Sequence, residues 1–174
     1  VGGGGLLAGV SACIKQATPR VKVIGVQAEG ASAVYRSFKA REHMSTDGVS
    51  TIADGIAVGN PGEKTVAEIL RHVDDMVTVS DNDISSAILL LMERSKLIVE
   101  PAGAASLAAV LSGKVDTVGR KTVCLLSGGN IDVSFIHRVI DQGLVSRHRR
   151  MKFTTRMPDA PGRLIKLLQV VADS

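Results

Sequence analysis

An α/β fold with an open, mainly parallel sheet and flanking helices is predicted by three observations. The apolar segments Val21–Val26 and Thr122–Leu126 are short and continuous rather than alternating, which suits strands covered on both faces. Helical periodicity recurs between them. The 174 residues include no Trp, one Tyr and three Phe in a 45% hydrophobic chain, so the core must be aliphatic.

The elements follow in order. Val1-Gly2-Gly3-Gly4-Gly5 leads into a helix over 6–16 through Leu7, Val10 and Ile14, closed by Thr18-Pro19, and a strand over 21–26 follows. A helix is predicted over 32–41. The stretch 48–60 reads as a loop with a short extended element around Ala53–Val58, and 63–73 as a helix. Asp75–Ser80 is a predicted strand, and Ser80-Asp81-Asn82-Asp83 has the form of a capping box opening a helix whose Ile84, Ala87, Ile88 and Leu91 share a face. Pro101 suits the first position of a small-residue helix over 102–111, stopped at Gly113. A strand over 121–126, a turn at Ser127-Gly128-Gly129-Asn130 and a helix over 133–143 complete a first unit, residues 1–146.

Residues 147–150 read as a basic, solvated linker. A second unit, 151–174, is predicted to hold one alternating strand (Met151–Met157) and one helix (Arg163–Ala172), too little to bury its own core. With no initiating Met, truncation at both ends is the expected account.

Several functions are disfavoured by composition. The formal charge of +4 is modest, and the basic run Arg147–Arg150 lacks interleaved aromatics, so nucleic acid is not indicated. No apolar run approaches the ~18 residues of a membrane span. Cys13 and Cys124 are too few and too far apart for a metal cluster and read as buried, reduced thiols of a cytoplasmic protein. His43, His72, His137 and His148 show no metal-ligand spacing.

The four consecutive glycines carry the strongest chemical signal. Without Cβ atoms they can turn several amides toward one point, and the following helix adds the positive end of its dipole, so a phosphate is the natural occupant. Gly3-x-Gly5-x-x-Ala8 also satisfies the dinucleotide fingerprint, with Glu29 at the distance of a ribose-binding carboxylate. A Walker loop is excluded, because Leu6-Leu7 occupies the Lys-Ser/Thr positions.

Four ordered segments, GGGGLLAG, TIADGIAV, VEPAGAASLA and LLSGGNID, resemble the later part of fold type II pyridoxal-phosphate enzymes, most closely threonine dehydratases (threonine ammonia-lyases). MPDAPGRLIKLL resembles the opening of an ACT regulatory domain. The resemblance implies pyridoxal 5'-phosphate as cofactor, its phosphate on the amides of Gly2, Gly3, Gly4, Gly5 and Leu6, and Ser127 facing the pyridine nitrogen. A neutral hydroxyl there, unlike a carboxylate, does not hold that nitrogen protonated. Glu100 and Gly55 fall where the family lines the cofactor pocket; Glu100 alternatively serves the next helix's positive end, Ser127 the cap of its turn, and Asp54 a turn.

The implied substrates are threonine or serine, the implied regulator an amino acid such as isoleucine or valine, and the implied assembly a homo-oligomer. Serine dehydratase or serine racemase, and more remotely a dinucleotide-dependent oxidoreductase, are the alternatives. Related enzymes hold a divalent cation with a Glu, a carbonyl four residues on and an Asp two beyond; the corresponding Glu29, Ala33 and Tyr35 lack the second carboxylate. Ser37-Phe38-Lys39-Ala40-Arg41 imitates the family's Schiff-base lysine motif but lies downstream of the glycine loop with the wrong flanks. It reads as an exposed helical Lys-Arg pair, and the chain alone is expected to be inactive.

Overall fold

The computed structural model describes residues 1–151 and 153–173; Lys152, in the predicted second-unit strand, and Ser174, at the end of that unit, lie outside the described residues. Its elements are α1 (Gly5–Ala17), β1 (Ile24–Ala28), α2 (Ala33–Ala40), α3 (Glu63–His72), β2 (Asp75–Val79), α4 (Asp81–Leu90), α5 (Pro101–Leu111), α6 (Val133–Ser146) and α7 (Arg163–Ala172). β1 and β2 pair in parallel, with Ile24 opposite Asp75 and Ala28 opposite Val79. The crossover between them carries α2 and α3, as a parallel pair requires.

Two aliphatic clusters flank this pair. The larger joins Ala28 and Val79 to Ile84, Ala87 and Ile88 of α4, to the face Ala104, Ala105, Ala108 and Ala109 of α5, and to Val139 of α6. The smaller joins Ala8 of α1 to Val34, Ile69 and Met76. Side chains no longer than a methyl let α5 lie close to its neighbours, which is why a helix so poor in bulk is buried.

The sheet is smaller than predicted. Residues 121–126 form no strand; they run beside α5, where Ser106 Oγ donates to the Leu125 carbonyl at 2.8 Å. A strand needs a neighbouring ladder, and no described segment supplies one, so Val123 remains 93% exposed. Residues 153–157 likewise form no strand, and α7 buries no residue. The first strand begins at Ile24 rather than Val21, because the Val21 amide turns back to the Thr18 carbonyl and the Val23 amide donates to Asp74.

Other boundaries shift for identifiable reasons. The extended element expected near 53–58 is a 3₁₀ turn over Asp54–Ile56. α6 continues past Gly143, where a Cβ would stand 2.9 Å from the Ser85 carbonyl. That glycine therefore permits close packing of α6 on α4 instead of ending the helix. Beyond α4 the chain widens into a π-helical turn, Leu91–Ser95, closed by Lys96 in the left-handed conformation (φ 57°). The basic run is not wholly solvated: Arg149 pairs with Glu93 at 2.6 Å and Arg150 with Asp141.

The capping box is formed. Ser80 Oγ accepts from the Asp83 amide at 3.1 Å, and Asp83 returns the bond to the Ser80 amide at 3.0 Å. Ser80→Ala is expected to lower stability by about 1 kcal/mol, read from chemical denaturation; an unchanged midpoint would show that the box is idle.

The cysteines differ from expectation. Cys13 is exposed on α1, and Cys124 is half-buried, where burial pushes its thiol pKa up. Its helical position turns Cys13 away from the cluster beneath α1. Alkylation followed by mass spectrometry is expected to label Cys13 well before Cys124; equal rates would contradict this assignment. Among the described residues no helix is long and apolar enough to cross a membrane.

Candidate active site

The glycine loop lies against the start of α1, a 13-residue helix whose cap, Gly4, sits at φ 91°. An L-residue meets Cβ strain in that region, so the position favours glycine. The amides of Gly3, Gly5 and Leu6 donate to no protein group among the described residues, as expected at a helix start awaiting an acceptor. From below, Thr65 Oγ1 contacts both the Gly3 carbonyl at 2.7 Å and the Gly62 carbonyl at 2.8 Å. Ile69 fills the space behind, its Cδ1 2.8 Å from where a Gly4 Cβ would stand.

From this cradle the wall continues through residues far apart in sequence. A Cβ at Gly2 would stand 3.1 Å from Ile56 Cα and 3.5 Å from the Gly55 carbonyl. One at Gly55 would meet Ala102 Cβ at 3.2 Å and Glu100 Oε1 at 3.6 Å. Gly103 faces the Ser127 carbonyl, 2.2 Å from its would-be Cβ. Gly2, Gly55, Glu100 and Ser127 thus form one continuous surface, and glycine stands wherever backbone must approach backbone.

The individual side chains discriminate between the readings open in the sequence. Ser127 is half-buried, and its hydroxyl bonds to no protein group among the described residues, so it does not cap its own turn. Glu100 is the N-cap residue of α5, yet its carboxylate makes no cap bond there. It turns instead to the next loop, accepting from the Asn130 amide at 3.1 Å. Asp54 accepts from the Gly55 amide at 2.8 Å, the turn-forming role expected of it.

Asp81 is a participant that sequence reasoning missed. Oδ1 accepts from Thr51 Oγ1 at 2.5 Å and Oδ2 from the Ile52 amide at 3.1 Å, anchoring the loop that carries Gly55 to the start of α4. Thr65 was also missed; a threonine three residues after Gly62 was the available hint. A cleft of about 430 Å³ adjoins the wall, bordered by Thr51, Asp54, Asp81, Asn130, Asp132 and Arg138.

Other candidates are not gathered here. Glu29 is exposed, the Ala33 carbonyl accepts from Ser37 Oγ at 2.8 Å, and the Tyr35 amide donates to Gln27 Oε1 at 2.7 Å. Among the described residues no group of three or more His, Cys, Asp or Glu side chains could hold a metal ion. Lys39 pairs with Asp75 at 3.1 Å and lies 5.4 Å from the centre of the Tyr35 ring, on the outer side of α2.

The donor set fits a phosphorylated pyridine. It combines a cluster of undonated amides, a wall in which glycines let backbone come close, and a hydroxyl with no protein partner among the described residues at the far end.

Comparison with known proteins agrees. The chain is 46% identical over 173 residues to the L-threonine ammonia-lyase of Thermotoga maritima, covering 99% of this chain and 43% of that protein. It is 42% identical over 174 residues to that of Geobacter sulfurreducens, covering all of this chain and 43% of the relative. The chain therefore spans less than half the length of these curated relatives.

Among solved structures, the processed form of threonine deaminase isoform 2 from Solanum lycopersicum matches with a TM-score of 0.76 and 35% identity, over 83% of this chain and 40% of that one. Maize serine racemase matches with a TM-score of 0.73 and 30% identity, over 85% and 46%. The family model described as pyridoxal-phosphate dependent enzyme matches residues 1–128, the span that holds the glycine loop, the Gly55 turn, Glu100 and Ser127, and the chain belongs to that family.

Proposed function

We propose that the protein is a threonine ammonia-lyase, converting L-threonine to 2-oxobutanoate and ammonia in the cytoplasm, with this chain forming one wall of its active site. The observation that carries the reading is the continuous surface from Gly2 through Gly55 and Glu100 to Ser127. Its support is the 46% identity to an L-threonine ammonia-lyase along 99% of the chain. The bound cofactor supplies an electron sink that lets the β-hydroxyl of the amino acid depart.

The chain's own residues do the rest of this wall's work. The amides of Gly2, Gly3, Gly4, Gly5 and Leu6 hold the phosphate dianion, each charge-assisted hydrogen bond contributing on the order of 1.5–3 kcal/mol. Gly55 gives the ring room, and Ser127 faces the ring nitrogen without imposing a proton on it. The lysine that carries the cofactor belongs, in this reading, to another part of the protein, and Lys39 is no substitute. Residues 151–174 begin a regulatory ACT domain that answers to an amino acid and pairs in a homo-oligomer.

The test is an assay of the intact protein on L-threonine, L-serine and D-serine, reading 2-oxo acid formation and, for serine, inversion at Cα. Threonine is expected to turn over fastest. Faster elimination or inversion of serine would transfer the reading to a serine dehydratase or serine racemase, a rival favoured by the match to maize serine racemase.

A further inference from the structure

Glu100 makes a two-way contact that its place at the start of α5 does not require. Its amide donates to the Gly128 carbonyl at 3.3 Å, and its Oε2 accepts from the Asn130 amide at 3.1 Å. The two bonds run in opposite directions between the same two segments, so the turn is pinned on both sides of Gly129. The glycines of the turn are cut to this arrangement. Gly128 has φ 92°, and a Cβ there would stand 2.4 Å from Glu100 Oε1. A Cβ at Gly129 would come to 3.3 Å from the Ile98 carbonyl.

A carboxylate used only for the α5 dipole would point at that helix's own first amides, and this one does not. A carboxylate used only as a cofactor ligand would not need a backbone partner 30 residues away.

We propose that Glu100 is a positioning residue: its carboxylate holds the Ser127–Asn130 turn in place and thereby sets the Ser127 hydroxyl at the ring. The second half of the statement rests on the proposed cofactor role of Ser127; the first does not. Acceptance of the Asn130 hydrogen, rather than negative charge, is the property that matters. A glutamine oxygen can accept the same bond, whereas an alanine cannot.

Two measurements on the intact protein separate these statements. Amide hydrogen exchange is followed first on the cofactor-free protein. Glu100→Ala is expected to speed exchange at Asn130 on the order of fivefold, the change that loss of one ordinary hydrogen bond brings, while Glu100→Gln stays closer to wild type. Exchange at Asn130 that is equal in wild type and Glu100→Ala, or as fast in Glu100→Gln as in Glu100→Ala, overturns the proposal.

Pyridoxal 5'-phosphate is then titrated into each variant, with binding read from its absorption band. Glu100→Ala is expected to shift the band as Ser127→Ala does, and Glu100→Gln to leave it in place. A Glu100→Ala band identical to wild type overturns the link to Ser127. Failure of the wild-type protein to take up the cofactor refutes the proposed function and leaves the exchange result to decide the positioning role alone.

Discussion

Gly103→Ala is expected to destabilise the protein by about 3 kcal/mol, the upper end of overpacking penalties, and to weaken cofactor binding with it. Alanine is the better helix former by roughly 1 kcal/mol, so propensity alone predicts a gain inside α5. Packing outweighs it, because the added methyl would stand 2.2 Å from the Ser127 carbonyl and 2.9 Å from Val99 Cγ1. The carbonyl belongs to the backbone and cannot rotate away, so the turn or the helix must shift. Gly9→Ala is the internal control: Gly9 lies inside α1 with nothing within 4 Å of the new methyl, and a gain of about 0.5–1 kcal/mol is expected. Chemical denaturation of both variants reads the contrast, and equal responses would mean that α5 and the turn are not in contact.

Ile69→Ala is expected to cost about 2–5 kcal/mol, the range for emptying a large aliphatic site in a close-packed interior. Ile69 is 1% exposed in the smaller cluster and lies directly behind Gly4. The cavity opens beneath the cradle, so affinity for pyridoxal 5'-phosphate is expected to fall with stability. Ile88→Ala, equally buried in the larger cluster, should match it in stability and leave cofactor affinity nearer to wild type. Equal losses of affinity in the two variants would show that the support under the glycine loop is not local.

The helices were readable because their signals are local. Periodicity located α1 and α4, Pro101 with its small-residue run located α5, and the Ser80/Asp83 spacing placed a capping box that the structure closes. Strands were legible only in part. Residues 24–28 and 75–79 find each other, whereas 121–126 carry an equally apolar run with no strand partner among the described residues, and no sequence window reports whether a partner is present.

The site divides in the same way. Glycines 2–5 announce themselves by adjacency, and Ser127 and Glu100 came from family-like motifs. Thr65 and Asp81 act through contacts between segments distant in sequence, such as the Asp81 bonds to Thr51 and Ile52, and a linear reading has no term for them. Cys13 shows the opposite error: apolar neighbours in sequence suggested burial, but on a helix the neighbours and the residue face different ways.

The alanine face of α5 has a consequence for how accurately the site can be set. Ala104, Ala105, Ala108 and Ala109 are each at most 2% exposed and have no torsion beyond the Cβ to adjust. The helix therefore behaves as a fixed-length gauge. Its lateral position is dictated by backbone and methyl contacts along its length, with no flexible side chain to absorb an error. The N-terminal end, where Glu100 meets the Asn130 amide, inherits that position. The tolerance of the binding surface is thus determined by the thinnest side chains of the core, at some distance from any atom that a ligand would touch.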